Sequence, residues 1–363
     1  MTDEGIVVPP ASEKGLCNFM MMNMAEKTVL VAMSGGVDSS VAAALLQAEG
    51  YEVTGATMKI WDEGREEVFE NPRICCSLSA VEDAMAVCEK LRVSYHLLEY
   101  QEYFKTEIVE NFCSEYREGR TPNPCVLCNT RLKFDHLLEE ADRLGCAGIA
   151  TGHYARIEKD SESGLYRLRK GKDPDKDQSY FLYGVTQAVL SRLLFPVGQY
   201  NKGEIRDLAA RYHLPVAQKE ESQEICFIPD NDHVSFLRRR FPEGWREGEI
   251  RDRQGTVLGK HPGYMHYTVG QRRGLGVAHA VPLYVTEIRA AENLVIAGPK
   301  EELLRKTATV VGINWIAGSP PSETDSLLAR IRYRHREAPA HIELLDPSGD
   351  SCRVIFEEPQ EAI

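Results

Sequence analysis

The sequence predicts an α/β protein with a doubly wound parallel sheet, followed by a small central domain and a C-terminal β-barrel. Three observations carry that prediction. Short apolar runs alternate with helical periodicity from residue 29 to about 152. After about residue 226 the chain turns Gly-, Pro- and Arg-rich, with only short apolar pieces. From residue 283 onward, short strand-like runs recur at regular spacing between turn residues. The expected divisions are a disordered N-terminal extension over 1–24, a catalytic domain over 25–225, a central domain over 226–282 and a barrel over 283–363.

The first element sets the frame. Val29-Leu30-Val31-Ala32 reads as a buried parallel strand, and the Ala/Leu run after Asp38 reads as a helix. Between them lies Met33-Ser34-Gly35-Gly36-Val37-Asp38-Ser39-Ser40. Glycine lets the backbone turn sharply and approach a ligand, so its amides can form an anion nest. Asp38 or Ser39 is expected to cap the helix, whose N-terminus adds partial positive charge. The stretch therefore reads as a phosphate loop, against the bland alternative of a tight strand-to-helix turn. No lysine follows the glycines, so it is not a Walker-type loop.

The remaining elements follow in order. Strands are expected at 52–60, 94–98 and 148–152, with helices over 78–91, 102–117, 130–144 and 203–213. Residues 61–77 read as a polar loop containing Cys75 and Cys76. In a doubly wound sheet, ligands bind at the carboxyl ends of the strands. The 34–39 loop, Met58 and Gly152 all fall at such ends. Later strands are expected at 283–288, 294–297, 309–316, 328–333, 341–345 and 352–356.

Composition narrows the class. No apolar run approaches the ~20 residues of a membrane span, and residues 1–24 lack the apolar core of a secretory signal. Ten cysteines without such a signal point to reduced thiols and a cytoplasmic location. A net charge of −12 argues against an unspecific nucleic-acid binder. Local basic segments nonetheless recur at 167–172, 238–240, 272–273 and 330–336.

Two cysteine-bearing segments could carry chemistry. In Gly119-Arg120-Thr121-Pro122-Asn123-Pro124-Cys125-Val126-Leu127-Cys128-Asn129, two prolines stiffen a loop that leads into a helix. The Cys125–Cys128 spacing lets both sulfurs meet one metal or each other, and a helix-start thiol favours thiolate. The bland reading is a pair of buried helix-start cysteines. Cys226, between Glu221–Ile225 and Phe227-Ile228, is read equally as core or as chemistry. Thr151-Gly152-His153-Tyr154 and Lys176-Asp177-Gln178 are polar clusters beside strand ends.

Taken together, these segments resemble the tRNA-specific 2-thiouridylases, and the loop resembles the pyrophosphate loop of the ATP pyrophosphatases. The matching pieces are residues 32–39, 119–124, 127–129, 150–154, 176–182, 225–228, 266–272 and 332–334, in the family's order. The resemblance implies transfer of AMP from ATP to the C2 carbonyl oxygen of the tRNA wobble uridine, followed by sulfur attack, with release of AMP and pyrophosphate. It implies ATP binding by Ala32, Met33, Ser34, Gly35, Gly36, Val37, Asp38, Ser39, Met58 and Gly152, assisted by Mg²⁺. It places Asn123, Pro124 and Cys125 at the target base, and His153, Lys176, Asp177, Gln178, Arg332 and Tyr333 on tRNA. Cys226 would carry a persulfide and Cys128 would be its partner nucleophile. Sulfur would come from a cysteine desulfurase or a sulfur-relay protein.

Two departures qualify the resemblance. The best-described members have an aspartate, proposed as general acid/base, where this chain has Cys125, so that role does not transfer. A second group of thiolases holds a 4Fe-4S cluster on three cysteines. Cys125, Cys128 and Cys226 would be its ligands here, and the trio slightly favours the cluster over the persulfide relay. The chain also ends at Glu358-Pro359-Gln360-Glu361-Ala362-Ile363, without the Pro-Gly-Gln turn and closing strands of the family. Two other functions share some of these features: an adenylating ligase or amidotransferase using the same loop, and a non-catalytic cysteine-rich RNA- or metal-binding protein.

Overall fold

The computed structural model describes residues 27–60, 78–220, 225–228, 232–242, 245–322 and 325–362. The expected N-terminal extension, the Cys75-Cys76 loop and Glu221–Glu224 lie outside the described residues. The chain divides into two compact units. One comprises residues up to 105, 125–229 and 316–318, and the other comprises 106–124, 230–315 and 319–363.

The first unit is built on a five-stranded sheet. Its strands are β1 (Thr28–Ala32), β2 (Glu52–Lys59), β3 (Ser94–Glu99), β4 (Gly148–Ala150) and, after the two-stranded hairpin β5 (Ala155–Lys159) and β6 (Tyr166–Lys170), β7 (Leu193–Leu194). The order is β3-β2-β1-β4-β7 and every pairing is parallel. Such strands are covered on both faces, which is why β1 reads as a continuous apolar run rather than an alternation. The order reverses between β1 and β4, and a crevice opens at the carboxyl ends of strands at such a switch point.

Helix α1 (Val37–Ala48) runs through the centre of this unit. Every residue from Ser39 to Leu46 is buried, so the helix has no solvent face in that stretch. A helix apolar all round belongs in a core. Val41, Leu45 and Leu46 each contribute about 1.5–3 kcal/mol on burial, and the alanines let neighbouring backbones approach. The helix Lys202–Arg211 packs against it through Ile205 and Ala209. Asn201 caps that second helix in a reciprocal box with Glu204, which fixes where it begins.

Residues 101–117 and 124–143 are helical, as the periodicity predicts, but both carry π-helical stretches, at Phe104–Val109 and Cys128–His136. Sequence period does not report that widening. In the second helix it begins at a candidate cysteine, and π-helical turns are frequent at functional positions.

The second unit contains two four-stranded sheets. One joins β8 (Gly248–Arg251) and β9 (Val257–His261) with β10 (Tyr284–Arg289) and β11 (Leu294–Gly298), in the order β10-β11-β8-β9. It therefore spans residues on both sides of the expected division at 283. Ile250, Tyr267, Leu275, Leu283, Val285, Val295 and Ala297 form its core. The other contains β12 (Leu304–Val311), β13 (Leu327–Ala329), β14 (Ala338–Leu344) and β15 (Ser351–Glu361), in the order β12-β15-β14-β13 with antiparallel pairings.

Two C-terminal strands differ from expectation. The strand expected at 309–316 lies at Leu304–Val311 and ends where Gly312 takes a φ of +65°. The strand expected at 328–333 stops at Ala329, and Arg332–His335 closes a turn in which His335 N–H donates to the Arg332 carbonyl at 2.9 Å. The last strand pairs with β12 as far as Leu304↔Glu361. No helix among the described residues is long and apolar enough to cross a membrane.

The glycines of the first unit allow a direct test. Gly35 has φ +67°, and a Cβ there would lie 2.1 Å from the carbonyl oxygen of Ala80. Gly50, in the turn after α1, has φ +83° and open space around it. Gly35→Ala should lose about 2–5 kcal/mol of unfolding free energy, conformational strain and clash combined. Gly50→Ala should lose only the conformational part, about 1–2 kcal/mol. Denaturant unfolding measures both, and equal losses would show that the loop yields where the structure has it packed.

Candidate nucleotide and sulfur site

The loop after β1 is closed by its own serines. Ser34 N–H donates to Ser39 Oγ at 3.2 Å, and the two hydroxyls lie 3.2 Å apart. Ser39 and Ser40 hydroxyls donate back to the Gly36 carbonyl at 3.2 and 2.8 Å. Helix α1 begins at Val37 with Gly36 as its N-cap, in extended conformation and without a side-chain cap bond. The expected cap by Asp38 or Ser39 is thus corrected: the serines stitch the loop, and Asp38 turns elsewhere. Helix amides without a side-chain acceptor are suited to a phosphate oxygen.

The other strand ends converge on this loop. Thr57 Oγ1 donates to the Met33 carbonyl at 2.8 Å, and Met33 N–H donates to the Ala56 carbonyl at 2.7 Å. These bonds tie β2 to the exit of β1, with Met58 buried one residue further on. From β4, Gly152 presses directly on the start of α1. A Cβ at Gly152 would sit 2.6 Å from Ser39 N and 3.0 Å from Asp38 Cβ. The structure therefore brings together residues 32–39 and Gly152 at the switch point, with Met58 near the same edge of the sheet.

Asp38 holds two further groups, Tyr154 from the 151–154 cluster and Lys202, which the sequence did not single out. Lys202 Nζ lies 2.7 and 2.9 Å from its two carboxylate oxygens, and the Tyr154 hydroxyl donates to Oδ1 at 2.7 Å. The Lys202 ammonium also sits 5.8 Å from the Tyr154 ring centroid. Lys202 is the first residue of its helix, and its backbone N–H donates to Asp173 Oδ2 at 3.0 Å. The sequence pattern announced a helix at 203–213, but nothing in it says where the Lys202 side chain points.

The Lys176–Gln178 run is largely internal bracing. Asp177 is buried and accepts from Gly171 N–H at 2.9 Å, and from Ser179 N–H and hydroxyl at 3.2 and 2.9 Å. Gln178 and Tyr154 bond reciprocally: Tyr154 N–H donates to Gln178 Oε1 at 3.0 Å, and Gln178 N–H donates to the Tyr154 carbonyl at 2.9 Å. These bonds position the tyrosine that touches Asp38. His153 is buried, shares a 2.6 Å hydrogen bond with Thr151, and lies among Phe134 and Phe195. Burial and then the nearby Lys133 charge push its pKa well below 6.5.

The cysteines are placed as follows. Cys125 is exposed, and Cys128 and Cys226 are half-buried. Cys125 and Cys128 lie three residues apart at the start of the 124–143 helix, a spacing that shares a helix face. Cys226 is anchored by buried Phe227 and Ile228, with the Phe227 ring edge-on to Phe104 at 5.7 Å. Among the described residues, no three His, Cys, Asp or Glu side chains are gathered as a metal site. The described residues thus show no gathered ligand set around Cys125, Cys128 and Cys226.

In the second unit, Asn123 is exposed and Pro124 buried, and Tyr333 is exposed. Arg332 is half-buried, and its Nη2 donates to the Ala362 carbonyl at 3.0 Å. This arginine thus ties down the last described residue.

The buried imidazole makes stability depend on pH. In the folded chain His153 stays neutral, whereas in the unfolded chain it titrates near 6.5. The unfolded state then binds the extra proton, so this stability is complete above pH 6.5 and is lost as pH falls toward the folded pKa. The slope is at most about 1.4 kcal/mol per pH unit. Between pH 7 and 5 the stability gap between wild type and His153→Gln should narrow by about 1–2 kcal/mol. A gap independent of pH would show an imidazole that titrates normally in the folded chain.

Comparison with known proteins gives one consistent result. Residues 27–230 match the profile described as the tRNA methyl transferase HUP domain, 234–299 the tRNA methyl transferase PRC-barrel domain, and 305–363 the aminomethyltransferase beta-barrel domain. The tRNA-specific 2-thiouridylase MnmA of Geobacter metallireducens is 48% identical over 94% of this chain and 93% of its own. That of Geotalea uraniireducens is 47% identical over 95% and 91%, and that of Heliobacterium modesticaldum 49% over 93% and 87%. Among solved structures, the tRNA thiolase NcsA of Methanococcus maripaludis with its 4Fe-4S cluster matches at 19% identity and a TM-score of 0.33, over 59% of this chain and 66% of that one. That likeness is too low to carry chemistry between the two. Near-half identity along almost the whole length places this chain in the tRNA-specific 2-thiouridylase family.

Proposed function

We propose that the protein is an ATP-dependent tRNA sulfurtransferase that converts the wobble uridine to 2-thiouridine. The observation that carries this reading is the packing of Gly152 against an uncapped α1 within a serine-closed glycine loop. A pyrimidine carbonyl oxygen is a poor leaving group. Attack of that oxygen on the α-phosphorus of ATP breaks the Pα–O–Pβ bond, releases pyrophosphate and leaves C2 bearing AMP. The loop amides of residues 34–38 and the α1 terminus hold the phosphates. Met58 and Gly152 bound the nucleotide, and Asn123, Pro124 and Cys125 meet the extruded base.

Magnesium, when bound, neutralises phosphate charge. The site fits an ion carried in on ATP, because Asp38 puts a carboxylate at the loop and magnesium is commonly held by one or two carboxylates with phosphates and water. For sulfur delivery we favour the persulfide relay, supported by the lack of a gathered ligand set among the described residues. The terminal sulfur of a Cys226 persulfide attacks C2, and AMP departs with the former O2. Cys128 thiolate then attacks Cys226 Sγ, freeing the thiocarbonyl and forming a Cys128–Cys226 disulfide. A dithiol reductant restores both thiols, and a cysteine desulfurase or sulfur-relay protein reloads Cys226. Lys176, Arg332 and Tyr333 are the tRNA contacts we retain. Asp177 and Gln178 are engaged internally, and His153 is buried.

Mass spectrometry of tRNA nucleosides, with AMP measured in parallel, tests this reading. Cys226→Ser and Cys128→Ser should lower thiolation at least a hundredfold while tRNA-dependent AMP release persists. Cys125→Ser should keep a tenth or more of wild-type thiolation, because it is neither carrier nor disulfide partner. Activity that tracks iron content and disappears in Cys125→Ser would replace the relay with the cluster. AMP release driven by an amide donor without tRNA would make the protein a ligase.

A further inference from the structure

A phosphate-binding loop of the Walker type takes its lysine from the residue after the glycines, and this loop has none there. The fold delivers one from 164 positions away. Lys202 Nζ lies 2.7 and 2.9 Å from the two oxygens of Asp38, the second residue of α1. The lysine side chain is 13% exposed and the aspartate 31%, so the pair is sheltered rather than displayed on the surface.

Each neighbour of this ammonium is itself fixed. The helix that begins at Lys202 is capped by Asn201 and Glu204, and Glu204 is held by Lys172 at 2.9 Å. Asp173 holds the Lys202 backbone, and Tyr154, clamped by Gln178, holds Asp38. A flexible lysine stem aimed this closely from a capped helix is more than a structural ion pair needs. Sheltered pairs commonly add little net stability, because desolvation cancels much of the attraction.

Resting on the reading that the loop holds the pyrophosphate of ATP, we propose that Lys202 is the phosphate-binding cation of this site, held at the loop by Asp38. When the Pα–O–Pβ bond breaks, its electron pair remains on the bridging oxygen of the departing pyrophosphate. An ammonium beside the uncapped start of α1 meets that developing charge. Asp38 is then a positioning residue for Lys202 as well as part of the loop. The lysine contacts the β- and γ-phosphates and not the adenylate, so its effect separates ATP from AMP.

Equilibrium binding of ATP and of AMP to the full-length protein tests this assignment, in wild type, Lys202→Gln, Lys202→Arg, Asp38→Asn and the Asp38→Asn/Lys202→Gln pair. Lys202→Gln should weaken ATP about ten- to hundredfold, the worth of a charge-assisted contact, and AMP less than threefold. Lys202→Arg should recover part of the loss. The ATP deficit from Lys202→Gln should shrink but still exceed that for AMP when Asp38 is asparagine, whose amide oxygen can accept from the ammonium. Removing the lysine alone strands a sheltered carboxylate, so if Lys202→Gln fails to fold, the comparison of the double variant with Asp38→Asn carries the same test. Equal effects on ATP and AMP would make Lys202 a partner of Asp38 alone and overturn the proposal. Wild-type protein that binds neither nucleotide would instead overturn the ATP reading itself.

Discussion

The structure depends on one close approach. Gly152, leaving β4, lies so near the start of α1 that a single added carbon would sit 2.6 Å from the Ser39 nitrogen. That contact exists because β1 and β4 are parallel neighbours at the point where the sheet order reverses. Their carboxyl ends must lead away on opposite sides, and the backbone of one fills the opening left by the other. Gly35 meets the same constraint from the other direction, with its backbone against Ala80. A loop pinned from both sides presents its amides at fixed positions, which is what pre-organised charge stabilisation requires.

What could be read from the sequence follows from how local the determinants are. β1, the glycine loop and α1 are contiguous, so strand pattern, turn chemistry and helix pattern announced them together. Gly152 was legible because it stands at the carboxyl end of the strand expected at 148–152, where a doubly wound sheet binds its ligand. Lys202 was not, since its neighbours specify a helix start while its partner Asp38 lies far away in sequence. The parallel pairing of β8 with β11 was hidden for the same reason: it joins Ile250 to Val295 across an expected domain division.

The polar motifs carry a second lesson. His153, Asp177 and Gln178 belong to segments that read as RNA-facing, yet their side chains point inward. A buried polar group must be satisfied, and here Thr151, the Gly171 and Ser179 amides and the Tyr154 backbone satisfy them. The result is a chain of support from Asp177 through Gln178 to Tyr154 and so to Asp38. Polar residues in such segments therefore fit a positioning role as well as a contact role. Composition alone cannot separate the two.

The same distinction sorts the cations. Arg167, Arg169 and Lys172, read from the sequence as a basic surface, are paired with Asp160, Glu158 and Glu204. The three cations are about half-exposed, and pairs at the surface are worth about 0–1 kcal/mol each, so a phosphate can replace the carboxylate at little cost. Pairing therefore does not withdraw these side chains from RNA; it reconciles local basic segments with a net charge of −12. Lys202 differs because its shelter raises both the attraction to Asp38 and the cost of leaving it unpartnered. A group in that position changes partner only for one of greater negative charge, and a pyrophosphate held by the adjoining amides is such a partner. Surface lysines are interchangeable within a field, whereas this one is bound to a place.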